Sequence, residues 1–151
     1  MIQITVPFSK SLTSSVSLSD TFVFLSSTDS TRKYFPGIQK LQLLYGNIHE
    51  WIFKKFSYGG YELDITFKTS IKLTPEGLIE IEPFPENEKT SLKAAWVIKE
   101  GVGKVTASFT ADFKTELPLP SLMRAMIEPM AKKELTKLFD RYIDNVAQAL
   151  S

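Results

Sequence analysis

Ile2, Ile4, Val6 and Phe8 alternate with Gln3, Thr5, Pro7 and Ser9, and a period of two marks a strand with one buried face. Pro7 cannot donate to a ladder, so this strand is expected to run along an open edge or to bulge there. The pattern weakens through a Ser-rich stretch to Val16. Ser17 or Ser19 is suited to cap a short helix over 20–26, with Asp20 favoured in its first turn by the helix dipole. Asp29 or Ser30 is suited to cap a second short helix ending at Phe35, because Pro36-Gly37 disfavours its continuation and supplies a turn.

Between Ile38 and Glu116 the pattern predicts a meander of six strands, at 38–45, 48–58, 61–74, 78–84, 91–100 and 104–116. Gly46-Asn47, Gly59-Gly60, Pro75-Glu76-Gly77 and Gly101-Val102-Gly103 supply the backbone angles that tight turns need, and a looser break covers 85–89. The 61–74 strand sets Tyr61, Leu63, Ile65, Phe67, Thr69, Ile71 and Leu73 against a polar face, and 104–116 does the same with Val105, Ala107, Phe109, Ala111 and Phe113. Such one-sided alternation belongs to antiparallel sheets. In 48–58 both faces are mixed, Trp51 and Phe53 against Ile52, Phe56 and Tyr58, and the pattern leaves its inner face open.

After Leu117-Pro118-Leu119-Pro120, apolar residues from Leu122 to Ala149 recur three to five apart, which predicts a long amphipathic helix over 120–150. Pro120 fits its first turn. Pro129 should remove one backbone bond near Ala125 and bend it. Arg124 and Glu128, four apart, are placed to pair on its surface.

Seven strands, two short helices after the first of them and a long C-terminal helix make an α+β fold. That order, with Tyr34-Phe35-Pro36-Gly37-Ile38 entering the second strand and the Leu-Pro-Leu-Pro junction before the last helix, resembles the helix-grip fold of the START-like or SRPBCC superfamily. The superfamily includes polyketide cyclases, ubiquinone-binding proteins, plant proteins like the birch pollen allergen, and an accessory protein of carbon monoxide dehydrogenase. The resemblance spans nearly the whole chain. It implies a curved seven-stranded antiparallel sheet around the long helix, with an apolar cavity between them that opens near the two short helices.

Composition narrows the chemistry. A chain of 151 residues with 43% hydrophobic residues and 11 Phe can bury one core, so a single domain over 1–151 is expected. Its net charge of +1 creates no field to recruit nucleic acid. Without cysteine, disulfides, thiolate metal sites and Cys nucleophiles are excluded. No run approaches the roughly 20 apolar residues of a membrane span, and the alternating residues at 1–11 lack the continuous apolar stretch of a signal peptide, so a soluble cytoplasmic protein without stable membrane insertion is expected. His49 is the only histidine, which excludes His-pair metal motifs. No cofactor is called for.

The cavity that the resemblance implies makes a small hydrophobic ligand, whether lipid, isoprenoid or aromatic, the expected partner, with enzyme activity less expected. Ala107 and Ala111 beside Phe109 and Phe113, and Ala94 beside Trp96, either leave room for it or let the helix approach the sheet closely. Met123, Met126 and Met130 share a helix face, and flexible thioethers adapt to varied ligands or fill a core equally well. Tyr34 and Phe35 are placed either for the cavity mouth or, equally, for the core. The expected lining is thus Tyr34, Phe67, Trp96, Phe109, Phe113, Met123, Met126 and Met130. The alternatives are a cyclase or hydrolase using Tyr34, Arg124 or His49 as its polar group, and an accessory subunit that docks on a protein partner or forms a homodimer.

Overall fold

The computed structural model describes residues 1–58 and 61–151. The chain forms β1 (Ile2–Ser14), α1 (Leu18–Ser26), α2 (Thr28–Tyr34), β2 (Ile38–Tyr45), β3 (Ile48–Phe53), β4 (Phe56–Tyr58), β5 (Tyr61–Leu63), β6 (Thr66–Thr74), β7 (Leu78–Pro83), β8 (Thr90–Gly101), β9 (Lys104–Leu117) and α3 (Arg124–Ala149). A single 3-10 turn, Ser121–Met123, leads into α3.

Seven of the strands make one antiparallel sheet in the order β1-β9-β8-β7-β6-β3-β2, curved around α3, as the sequence predicts. Its edges are β1 and β2. β1 pairs with β9 along its whole length, from Ile2 opposite Leu117 to Ser14 opposite Val105, and Pro7 lies on this edge strand, where its missing N–H breaks no inner ladder.

Two expected strands are each divided. The 48–58 segment breaks at Lys54-Lys55 and the 61–74 segment at Asp64-Ile65, so that β4 and β5 form a separate two-stranded ribbon. Lys55 Nζ lies 3.6 Å from Glu62 and 4.0 Å from Asp64, an exposed charge cluster that braces the ribbon. At its base the Phe53 N–H donates to Ile65 O at 3.0 Å and the Lys54 N–H to Gly37 O at 2.8 Å, which joins the ribbon to the sheet. The expected Gly59-Gly60 turn lies outside the described residues.

One short helix starts at an expected cap and the other earlier than expected. Ser17 caps α1 by accepting from the Asp20 N–H at 3.1 Å. Ser27, ahead of both Asp29 and Ser30, caps α2 by accepting from the Ser30 N–H at 3.3 Å. Asp29 therefore sits inside the first turn of α2, where it pairs with Arg32 and faces the positive end of the helix.

The core lies between the concave face of the sheet and α3. Trp51 and Phe53 point inward from β3 beside Phe67 from β6, which answers the question that the mixed pattern of 48–58 left open. Three ring contacts explain the choice: Trp51 stacks on Phe67 with centroids 5.5 Å apart, and Phe35 meets Trp51 and Phe53 edge-on at 6.1 and 5.8 Å. Along α3, Ile127, Leu135, Phe139, Tyr142, Ile143 and Val146 are buried. Pro129 lies within the helix and has no N–H to offer the Ala125 carbonyl. Glu128 pairs with Lys132 at 3.1 Å, the opposite neighbour from Arg124, placing a carboxylate N-terminal to its cation in the better orientation for a helix pair.

Candidate ligand cavity

The two halves of α3 face different interiors. Under the C-terminal half, aromatic rings fill the hollow of the sheet. Phe35 packs against Phe139 and Tyr142 with centroids 5.5 and 4.9 Å away, Trp96 against Phe109 at 4.9 Å, and Phe113 against Phe139 at 6.0 Å. Phe8, opposite Ala111 in the β1–β9 register, stacks on Phe139 at 5.5 Å. Leu25 and Phe35 close this end from the short helices. What remains beside Trp96, Tyr142 and His49 is a gap of about 20 Å³, close to the least space that holds a single water.

Polar groups around this gap are satisfied within the protein. His49 Nε2 lies 3.0 Å from Thr28 Oγ1 and Nδ1 lies 3.3 Å from Asn47 O, so the ring donates through Nδ1 to the carbonyl and accepts from the threonine hydroxyl. Burial pushes the His49 pKa down, against the opposing effect of the Asn47 carbonyl. Burial likewise pushes the Tyr142 hydroxyl up to about 12, opposed by hydrogen bonding with Thr31 and Trp96. The Trp51 indole donates to Thr69 Oγ1 at 2.9 Å. Among the described residues no buried side-chain nitrogen or oxygen lacks a partner.

Under the N-terminal half of α3 the interior is open. Ile127, Met130, Ala131, Glu134 and Leu135 form the roof of a cavity of about 330 Å³. Thr115 and Leu117 at the end of β9 and Leu119 in the following connection form its floor, and Phe56, Ser57, Leu63 and Ile65 in and beside the β4–β5 ribbon form its wall. The sequence builds this space in three steps. The Leu-Pro-Leu-Pro junction carries the chain from β9 to α3 with Leu117 and Leu119 both buried. The ribbon leaves the sheet and turns Phe56 and Leu63 toward the helix. Ile127, Ala131 and Leu135, four apart, present one helix face to the gap, with alanine at its centre.

This cavity falls within the size range of small-molecule sites, and its lining matches their mostly apolar character with a few polar groups. Nine of the side chains named are apolar, and Ser57, Thr115 and Glu134 are the polar ones. Thr115 is buried, and its Oγ1 lies 2.7 Å from that of Thr90 on the neighbouring strand. Glu134 stands at the rim with Lys137 Nζ 3.5 Å away. Among the described residues no group of three or more His, Asp or Glu side chains is placed to hold a metal ion.

Of the residues expected to line the site, Met130 borders this cavity. Phe67, Trp96, Phe109 and Phe113 come together as well, but as a packed cluster, with Phe67 meeting Phe113 at 5.9 Å. Tyr34 lies over Phe24 of α1 at 5.4 Å, and its carbonyl accepts from Asn145 Nδ2 at 2.9 Å. Met123 is half-buried against the core, whereas Met126 is 58% exposed and turned outward. Arg124 is exposed and His49 belongs to the filled end, and neither they nor Tyr34 line the larger space. Ile127, Ala131 and Leu135 were missed as lining although their spacing of four was visible. The ribbon residues carried no such signal.

The architecture has close counterparts among solved structures. A START superfamily protein from Mycobacterium smegmatis superimposes with a TM-score of 0.68 at 14% identity, over 95% of this chain and 96% of that one. This chain has a START-like helix-grip fold. Other START-like neighbours are the Zhui aromatase/cyclase from Streptomyces sp. R1128, with a TM-score of 0.65, 14% identity and coverage of 97% and 91%, and the di-domain aromatase/cyclase StfQ of the steffimycin biosynthetic pathway. For StfQ the TM-score is 0.63 at 16% identity, over 97% of this chain and 50% of that one. No family model and no curated protein matches the sequence. Among the described residues, no helix of this START-like chain is long and apolar enough to cross a membrane.

Proposed function

We propose that the protein binds or carries a small hydrophobic ligand in the cavity beneath the N-terminal half of α3. The observation that carries this reading is the contrast between the two ends of one interior. Protein cores normally pack to the density of organic crystals, and the end under the short helices does so, yet about 330 Å³ stays open at the other. Apolar ligand surface transferred into it gains about 25 cal/mol per Å², and Met130 adapts to the ligand's outline. Binding rather than turnover is favoured because Glu134 is the one ionisable side chain among the described residues of the lining. A cyclase or hydrolase that moves a proton between two sites would use a second ionisable group as the partner acid or base.

Titration with the neutral fluorescent probe N-phenyl-1-naphthylamine tests the reading. Ala131→Trp, which places a large ring at the centre of the roof, is expected to weaken probe binding about tenfold or more. Met126→Trp, on the outward face one turn away, is expected to leave it unchanged. Wild-type protein that does not bind the probe, or equal binding by both variants, would remove the cavity as the site.

A further inference from the structure

We infer that this cavity, taken as the binding site, selects apolar alcohols and phenols over carboxylates of the same skeleton. The inference rests on the preceding reading and deepens it. Three polar side chains border the cavity, and together they offer more hydrogen-bond acceptors than donors. Glu134, the one ionisable group among the described residues of the lining, is an anion and only accepts. Thr115 Oγ1 and Thr90 Oγ1 lie 2.7 Å apart, so one hydroxyl donates to the other. That bond uses one of the pair's two protons and one of its four lone pairs, leaving one donor against three acceptor positions. Ser57 adds a hydroxyl of its own.

A ligand hydroxyl donates to the Glu134 carboxylate or a threonine oxygen, where acceptors are in excess, and still accepts from Ser57 or a threonine. A ligand carboxylate supplies none, brings a second negative charge into a space walled by Phe56, Leu63, Leu117 and Ile127, and has to shed water to enter. Lys137 does not reverse the preference. It pairs with Glu134 at 3.5 Å from the solvent side, with about half of its side chain exposed, and it is not part of the lining. The pair stands at the rim, with Glu134 62% and Lys137 49% exposed, so the lysine's charge is engaged there and not within the lining.

The test is competition against N-phenyl-1-naphthylamine by 2-naphthol and by 2-naphthoate, near neutral pH and at low salt. Wild-type protein should bind 2-naphthol at least about fivefold more tightly, the effect expected of one partly screened like charge. Naphthoate is intrinsically better hydrated, so Glu134→Gln separates the two causes: with the probe's affinity measured for each protein, the variant should narrow the preference by about fivefold through tighter naphthoate binding. Equal affinities in the wild type, tighter naphthoate binding, or an unchanged preference in Glu134→Gln would overturn the selection and leave the cavity's role standing. Probe binding that is absent, or insensitive to Ala131→Trp, would overturn both.

Discussion

The Trp51 indole on β3 reaches along the buried face of the sheet to Thr69 on β6, donating to its hydroxyl at 2.9 Å. Trp51 is 3% exposed and Thr69 fully buried, so no water can replace either partner. The bond fixes the ring at the angle at which it stacks on Phe67. Thr69→Val keeps the shape and strands the indole N–H. It should cost about 1–3 kcal/mol, the penalty for an unpaired buried donor, read as a lower urea midpoint with an unchanged m-value. A shift within about 0.5 kcal/mol would mean that the indole finds another acceptor.

Phe35 joins the short helices to the core through contacts with Trp51, Phe53, Phe139 and Tyr142. Phe35→Ala should lose about 3–5 kcal/mol. Because the hole it leaves adjoins the gap beside Trp96, the variant is also expected to acquire a second site for N-phenyl-1-naphthylamine. That site should persist in the Phe35→Ala, Ala131→Trp double variant, whereas a single probe site abolished by Ala131→Trp would show that the closed end collapses instead.

Gly77 closes the β7 turn with φ at +93°, and a Cβ built there would meet Ile98 O at 2.6 Å. The Gly77 carbonyl also accepts from the Ile98 N–H at 2.8 Å, so the two backbones cannot easily separate. Gly46, with φ at +53°, has nothing within 4 Å. Gly46→Ala should cost about 1 kcal/mol for the left-handed backbone alone, and Gly77→Ala clearly more. Thermal unfolding of the pair checks the order, and equal losses would rule out the Ile98 contact as the cause.

Acid should weaken the protein through His49. Its folded pKa lies below the ordinary value of 6.5 because burial disfavours the cation. Above 6.5 the ring is neutral in both states and its contribution is fully present. As pH falls below that value the unfolded chain takes up the proton first, so stability declines until the folded pKa is reached. Urea midpoints should therefore drop as pH falls below 6.5. His49→Gln should flatten that part of the curve, and a slope equal to that of the wild type would place its origin elsewhere.

Much of this fold is written in local pattern. Strands such as β1, β8 and β9 alternate cleanly between glycine and proline breaks, and an alternating strand with one dry face tells which residues point inward. The same logic runs past Lys54-Lys55 and Asp64-Ile65, because the alternation of 61–74 continues unbroken across the point where the chain leaves the sheet. What separates the ribbon there is its packing toward α3, a tertiary relationship with no period. The position of the cavity is hidden for a related reason. Alanines beside large aromatics are consistent with a void or with close approach, and at Ala111 the space is taken by Phe8, more than 100 residues earlier in the chain. Met130 and Met126 are four apart in sequence and both are partly in solvent, 41% and 58% exposed, and it is the position of the ribbon that lets Met130 border the space.

Lys10 reaches from the edge strand to Asp140 at 2.7 Å and Asp144 at 2.9 Å, fastening the C-terminal half of α3 where the aromatic rings already hold it. The opposite half carries no such anchor from β1 among the described residues, and it alone roofs the open space. Under the proposed function, folding and cargo would fall to separate stretches of one element. On that reading, exchanges at Ile127, Met130 or Ala131 would retune what the site accepts while the fastened portion goes on supporting the architecture, so a panel of altered binders could be drawn from these three positions.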